Sequence, residues 1–464
     1  MNKRTHMSPT DSSISQQKTN NPPHTVFSYY LIFAIALLFV LPFESVPIAI
    51  PQIQVLPFTT FAAIFVFLFF FSTRTFLYRS SPLTRTVGVF VLYAFLMSTV
   101  AVGIDTWIFN APPDRILAWL RQSGALAGGT ILFLILRQIL SRVSVHTIIL
   151  TILASSALPL SFSLLNVGWH ISYHPLVASL IKQIRFAFVK DPYFFNPSRA
   201  SGFSLEPAHY GLLLVLIFLP ITFLALHKKK FKGIAFVCFI AILINIIFTF
   251  SITTHILFAL FLILCAIYGV YRRLLLTLLP IAVILIAVFM IFLPDNYIRT
   301  QFDFIFVGGK NDTNITRLYG TLGSFLSATN SYTIIGYGLG GTATHIKNIL
   351  PDTQLRQSFI HTSWENMPNI TTLMGRIWVE LGFIGFILFL IIFFTAIKLA
   401  KSLTREYPSQ EDRLLIRIAI PSLCTLLFAT MLQYGSFALP YLWFWLAVID
   451  SRYLSLRFLQ KSPT

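Results

Sequence analysis

The stretch FNPSRASGFSLEPAHYGLLLVLIFLP, residues 195–220, places Arg199, Glu206 and His209 directly before a long apolar run. These residue types suit one kind of chemistry. A guanidinium presents a planar fork that bonds phosphate oxygens in pairs. A carboxylate beside it can orient the arginine or accept a proton. Gly202 between them permits a tight turn. Pro207 suits the first turn of a helix. Glu206 then sits at the positive end of the helix dipole, where the ionised carboxylate is favoured. The plainer reading of the same residues is a helix-capping glutamate in a structural ion pair with Arg199. His209 is either a candidate base supporting the site or an ordinary interfacial residue.

The elements that hold these residues follow from composition. The 464 residues are 56% hydrophobic and 11% charged, with a mean hydropathy of +0.76. Soluble domains carry roughly a quarter charged residues, so this is a polytopic all-α membrane protein. The length accommodates about twelve spans of roughly 20 residues and two long loops. The spans are expected near 27–43, 57–73, 85–103, 122–140, 145–165, 208–226, 233–250, 252–270, 274–294, 372–397, 413–431 and 437–456. They form one membrane domain over 27–456. A polar, disordered tail (1–26) precedes it and a short tail (457–464) follows. The long loops fall at about 166–207 and 295–371. The first apolar run lacks the features of a cleaved signal and reads as a retained span.

Charge orients the chain. With the N-terminus inside, the inner segments hold about 22 Lys/Arg against 5 Asp/Glu, while the outer segments hold about 12 against 11. Both termini are therefore expected in the cytoplasm, and both long loops outside. The net charge of +18 reflects this topology and is no sign of nucleic-acid binding. Cys238, Cys265 and Cys424 all fall in expected spans, with no disulfide or metal pattern. No Walker or dinucleotide-binding glycine loop occurs.

Long loops in a compact membrane protein usually carry function. These two face away from cytoplasmic ATP and sugar nucleotides, so any group transfer there uses a substrate already activated and already across the bilayer. Their basic residues, Lys182, Arg185, Lys190, Arg199, Arg299, Lys310, Arg317, Lys347 and Arg356, with Arg376 just inside the next span, run against the topological bias. Singly they suit loop solvation and headgroup contact. Together they suit a phosphate or diphosphate at the membrane surface. Arg376 and Glu380 stand four apart on a helix and can pair with each other; alternatively Arg376 faces a substrate cavity with Glu380 holding it. The segment GYGLGG reads either as a flexible turn or as an anion nest of backbone amides.

Arg199-x-x-Gly202-x-x-x-Glu206-Pro207 resembles an element of the bacterial Wzy polymerase and O-antigen ligase superfamily. Further segments agree in order. NITRLYGTLGSFLSATNSYTIIGYGLGG resembles the family's arginine, short helix and spaced glycines, here Arg317 with Gly336, Gly338 and Gly340. LMGRIWVELGFIGFILFL, with Glu380, Gly382 and Gly385, resembles its final element. Ser251 in FTFSITTHILFAL stands where the family often has a serine-containing turn between spans.

The resemblance covers most of residues 195–390. It implies a GT-C-like membrane glycosyltransferase that needs no metal or other cofactor. The donor would be an undecaprenyl-diphosphate-linked oligosaccharide at the periplasmic face of the bacterial inner membrane. A sugar hydroxyl of a second lipid-linked repeat attacks the anomeric carbon, the lipid diphosphate leaves, and configuration inverts. The resemblance casts Arg199, Glu206 and Arg317 as catalytic. Lys182, Arg185, Arg199, Arg317 and Arg376 would hold the diphosphate. His209, His345, His361 and Glu380 are candidate bases or supports. A flippase and a chain-length regulator are the implied partners.

Ligases of the superfamily carry His-Asn shortly before the glutamate matched by Glu380. Here those positions are Thr371 and Thr372, which favours polymerase over the ligase alternative, where polymer passes to a terminal acceptor. The other alternative is a transporter or flippase of lipid-linked glycans. Such proteins place acids in mid-membrane. The expected spans hold almost none, with Glu380 and Glu44 near their outer ends, and no internal repeat is visible.

Overall fold

The computed structural model describes residues 24–43, 58–72, 80–108, 114–188, 199–204, 206–270, 325, 334–342, 372–433 and 435–461. All regular secondary structure among them is helical. The helices are α1 (His24–Phe39), α2 (Phe58–Ser72), α3 (Pro82–Trp107), α4 (Asp114–Leu140), α5 (Val145–Ser172) and α6 (Pro175–Phe188). Then follow α7 (Pro207–Leu213), which runs through a π-turn into α8 (Leu219–Leu226), α9 (Lys232–Phe248) and α10 (Ile252–Ile267). The last three are α11 (Leu373–Glu406), α12 (Gln410–Leu432) and α13 (Pro440–Lys461). Among the described residues seven segments are long and apolar enough to cross a membrane: Pro82–Trp107, Asp114–Leu140, Val145–Trp169, Pro207–Leu226, Lys229–Phe248, Leu373–Glu406 and Gln410–Leu432; α1, α2 and α10, at three further expected spans, are shorter apolar helices. This is a multi-pass membrane protein. The expected span at 274–294 and most of the loop at 295–371 lie outside the described residues.

Local signals place the helix starts. Ser81, Ser144, Ser251 and Ser409 each precede a helix and accept a hydrogen bond from the amide three residues on, which satisfies an otherwise orphaned donor. Pro82 and Pro207 open α3 and α7. The long apolar stretch 231–273 is divided as expected, by a turn at 249–251.

Two findings differ from the sequence expectation. Much of the expected loop 166–207 is helical: α5 continues to Ser172, Tyr173 turns the chain with φ 49°, and α6 follows. Helix α6 is amphipathic. It buries Ile181 and Arg185 while Leu176 and Leu180 stay exposed, so it lacks the uniform apolarity that marks a span. The second difference is Asp450, a buried carboxylate inside the expected span 437–456. Its Oδ2 lies 3.0 Å from Arg137 Nε, and both Ser81 and Thr84 donate to it. Partners on α3 and α4 make the charge tolerable at that depth.

Helix α13 is the centre of the bundle. Tyr441, Trp443, Phe444 and Trp445 are fully buried. Gly129 of α4 lets Trp443 approach, since a Cβ there would lie 2.1 Å from its indole nitrogen. The Trp445 indole donates to Leu216 O at 2.6 Å. In an α-helix that carbonyl would take the amide of residue 220, and Pro220 has none. The lipid-facing positions are apolar, as on α3, where Val89, Leu92, Leu96 and Val100 are exposed.

Candidate functional site

The segment 199–206 is stitched to the turn between α9 and α10. Arg199 donates through Nε to Thr249 O (3.0 Å) and through a terminal nitrogen to Phe250 O (3.2 Å). The Ala200 amide donates to Phe248 O at 2.7 Å. Phe250 is held at φ 46°, one of the described non-glycine residues in a left-handed conformation. Gly202 has φ 50° and lies against the Tyr210 ring, where a Cβ would meet Cε2 at 2.5 Å. Its amide donates to Ser163 of α5. Glu206 takes the N-cap position of α7 with φ −124° and ψ 149°, but its carboxylate makes no cap hydrogen bond. It is thus a cap by backbone alone.

Helix α6 adds a second arginine here. Arg185 is buried and donates to Ser201 Oγ at 3.1 Å and more weakly to Ser204 O. Phe203 anchors the segment by stacking between Phe43, just past α1, and Phe162 of α5. Lys182 is exposed one turn before Arg185, and His209 is half-buried just inside α7.

A second cluster surrounds the start of α11. Gly382 interrupts that helix with φ 65° and ψ −169°. The interruption frees backbone groups, and the glycine loop 334–342 takes them up. Tyr337 N donates to Val379 O (3.0 Å), Gly338 N to Glu380 O (2.7 Å), and Ile384 N to Ile334 O (3.2 Å). Tyr93 of α3 donates its hydroxyl to Leu381 O. Gly336, Gly338 and Gly340 all have φ between 74° and 76°, a region that side chains avoid. The amides of Tyr337, Gly338, Leu339 and Gly341 are all committed to protein acceptors. With these four amides committed, GYGLGG is a turn, as one of its two readings has it, but a fixed one.

Arg115 clamps the same loop. It donates to Tyr337 O (2.7 Å) and Leu339 O (3.0 Å), while its Nε lies 2.7 Å from Asp105 Oδ2. Arg115 is 1% exposed. Thr342 donates to Glu380 Oε1 at 2.9 Å. The other carboxylate oxygen, Oε2, is buried without a hydrogen-bond partner, as are both amide atoms of Gln433. Arg376 donates to Gln122 Oε1 (3.1 Å) and to Gly435 O (2.9 Å). Buried polar atoms without partners are rare. Among those of the described residues are Glu380 Oε2 and the Gln433 amide, near the start of α11 and just past α12.

Both clusters sit at one end of the bundle. Phe203 stacks on Phe43, just past α1. Thr59 of α2 donates to Val40 O beside it, and Thr60 donates to Ala438 O. Ala438 leads back to Gly435 and Arg376. The opposite end holds Arg137 with Asp450, Arg452 with Asp412, and Lys228 with Glu411.

Of the residues expected from sequence, Arg185, Arg199, Glu206 and His209 form the first cluster, with Lys182 beside them, and Arg376 and Glu380 belong to the second. Arg317, His345 and His361 lie outside the described residues. Sequence reasoning missed Arg115, Asp105, Gln122, His255 and Gln433. Arg115 and Asp105 carry a faint signal as an acid and a base ten residues apart at one helical hairpin; nothing local marks the others. No protein-family model matches the chain, and no curated protein matches it.

Proposed function

We propose that this chain polymerises undecaprenyl-diphosphate-linked oligosaccharide repeats into O-antigen or exopolysaccharide at the periplasmic face of a bacterial inner membrane. One observation carries the reading. Segments far apart in sequence that resemble the polymerase elements pack in pairs at one end of the bundle. The Arg199 segment is bound to the Ser251 turn, and the glycine loop is bound to the broken helix that carries Glu380. Arg199, Arg376 and Glu380 then lie at the same end.

In this reading the helices belong to a GT-C-like fold of about twelve spans, with both termini cytoplasmic. Arg199, Arg185 and Lys182, with Arg317, receive the diphosphate of the donor. Negative charge grows on the leaving diphosphate as the anomeric C–O bond breaks. Arginine forks already held in place stabilise that charge without reorganising. The task is the one a divalent metal performs in other glycosyl transfers. Arg199 is suited to it because backbone carbonyls fix its guanidinium before substrate arrives. Arg376 and Glu380 bind the sugar or the second diphosphate, Glu380 through its Oε2. A flippase supplies the donor and a chain-length regulator acts on the product.

The test is a glycan-stained gel of surface polysaccharide from a strain lacking the gene. Collapse to core plus one repeat, with single lipid-linked repeats accumulating, is the expected result. Full-length polymer retained on undecaprenyl diphosphate indicates a ligase instead. An unchanged pattern in cells that normally express the gene overturns both readings and points to transport.

A further inference from the structure

The reaction proposed above needs a group to take the proton of the attacking hydroxyl, and among the described residues the best placed histidine is one the sequence did not single out. His255 lies in the first turn of α10, and its Nδ1 is 2.6 Å from the Ser251 carbonyl. A carbonyl oxygen can only accept, so Nδ1 carries the hydrogen. In the neutral ring, Nε2 then carries the lone pair. Among the described residues Nε2 has no hydrogen-bond partner. The ring is half-buried, on the flank between the packed and exposed faces of α10.

Its position relative to Arg199 is set by the turn. Arg199 donates to Thr249 O and Phe250 O, and His255 to Ser251 O. Guanidinium and imidazole therefore hang from consecutive carbonyls, at residues 250 and 251. The turn thus carries an anion-stabilising group and a base of fixed tautomer on neighbouring residues; an inverting transfer places the anomeric carbon between them, with the acceptor on the side of the base and the diphosphate on the side of the arginine.

We propose that His255 Nε2 is the general base of this site; the proposal rests on the polymerase reading. The acceptor O–H proton moves to Nε2 as the oxygen bonds the anomeric carbon. The bond from that carbon to the diphosphate oxygen breaks, and the electron pair leaves with the diphosphate. The imidazolium later returns its proton to solvent or to the departing diphosphate. Among the described residues few other titratable groups at this end compete; Tyr210 of α7 is one of them. Helix α7 brings Glu206 and His209 there. Lys232 of α9, and Glu411, Asp412, Arg413 and Arg417 of α12, lie toward the other end.

The experiment uses the full chain in membrane vesicles with the outer face exposed. The vesicles come from cells carrying wild type, His255→Asn, His255→Gln, His209→Gln or Arg199→Ala and loaded with their own lipid-linked repeats. Polymer formation is followed between about pH 5 and 8, the range in which an ordinary histidine titrates. The Asn variant can keep the bond to Ser251 O while removing the base. The expected result is a rate lower by about 100-fold or more in both His255 variants at normal protein levels. An acid limb should be present in wild type and absent from the residual rate of the His255 variants. Near-normal rates in either variant, an acid limb missing from wild type, or a limb that disappears with His209→Gln overturns the proposal. If His255→Asn is active while Arg199→Ala is dead, the polymerase reading survives and only the base assignment falls. If wild-type vesicles make no polymer, both fall.

Discussion

Gly336 and Gly382 meet backbone against backbone. A Cβ on Gly336 would lie 2.5 Å from the Gly382 nitrogen, and one on Gly382 would lie 2.6 Å from the Gly336 nitrogen. Both residues also have left-handed φ, 76° and 65°. This crossing lets the glycine loop satisfy the carbonyls that the break in α11 exposes. Alanine at either position is expected to strain φ, by about 1–3 kcal/mol, and to push the two strands of backbone apart. Detergent-solubilised Gly382→Ala should melt at a lower temperature than wild type. It should also lose polymer, because Glu380 is oriented from the same loop. Wild-type melting would show that the crossing is not needed.

Arg115 and Asp105 form a buried pair whose guanidinium also carries two loop carbonyls. Arg115→Met leaves Asp105 without its counter-ion and frees those carbonyls, a loss of about 3–5 kcal/mol. Joint replacement with Asp105→Leu should recover part of that loss in thermal melts, because no lone charge remains. The recovery is partial, since Tyr337 O and Leu339 O still lack their donor.

Trp445 and Pro220 make a compensating pair. Trp445→Phe removes the donor to Leu216 O and should cost about 1–3 kcal/mol for the buried carbonyl left unmet. Pro220→Ala restores a backbone N–H one turn along from that carbonyl. In the Trp445→Phe background it should therefore be less damaging, or even stabilising. A double-mutant cycle on unfolding in detergent measures the coupling. Additive effects would show that the indole bond contributes nothing specific.

Arg199→Lys preserves charge but not the fork. A lysine ammonium cannot meet two backbone carbonyls and still face a diphosphate in a fixed plane. The expected outcome is stable insertion with polymer reduced about 100-fold or more, read on a glycan-stained gel against an immunoblot of the protein. Normal polymer would remove Arg199 from the site.

How much of this was legible follows from the range of each interaction. Hydropathy and end-to-end charge are local sums, so composition and pattern alone determined a multi-pass helical membrane protein. The same local logic placed the start of α7 at Pro207 and the division of the 231–273 stretch. It also picked out Arg199, Glu206, Arg376, Glu380 and the spaced glycines as residues out of character for their surroundings. Their partners were beyond its reach. Arg199 answers to carbonyls about fifty residues away, and Glu380 to a loop threonine on another segment. A backbone carbonyl leaves no mark in the residue type that carries it. Asp450 is tolerable inside a span only because Arg137, Ser81 and Thr84 surround it, and none of the three is near it in sequence. Nothing in the sequence around His255 shows that the Ser251 carbonyl fixes its tautomer. Residue type set which chemistry was available. Tertiary packing decided which groups share a turn, because low-dielectric burial leaves each polar atom dependent on whatever the fold brings within hydrogen-bond reach.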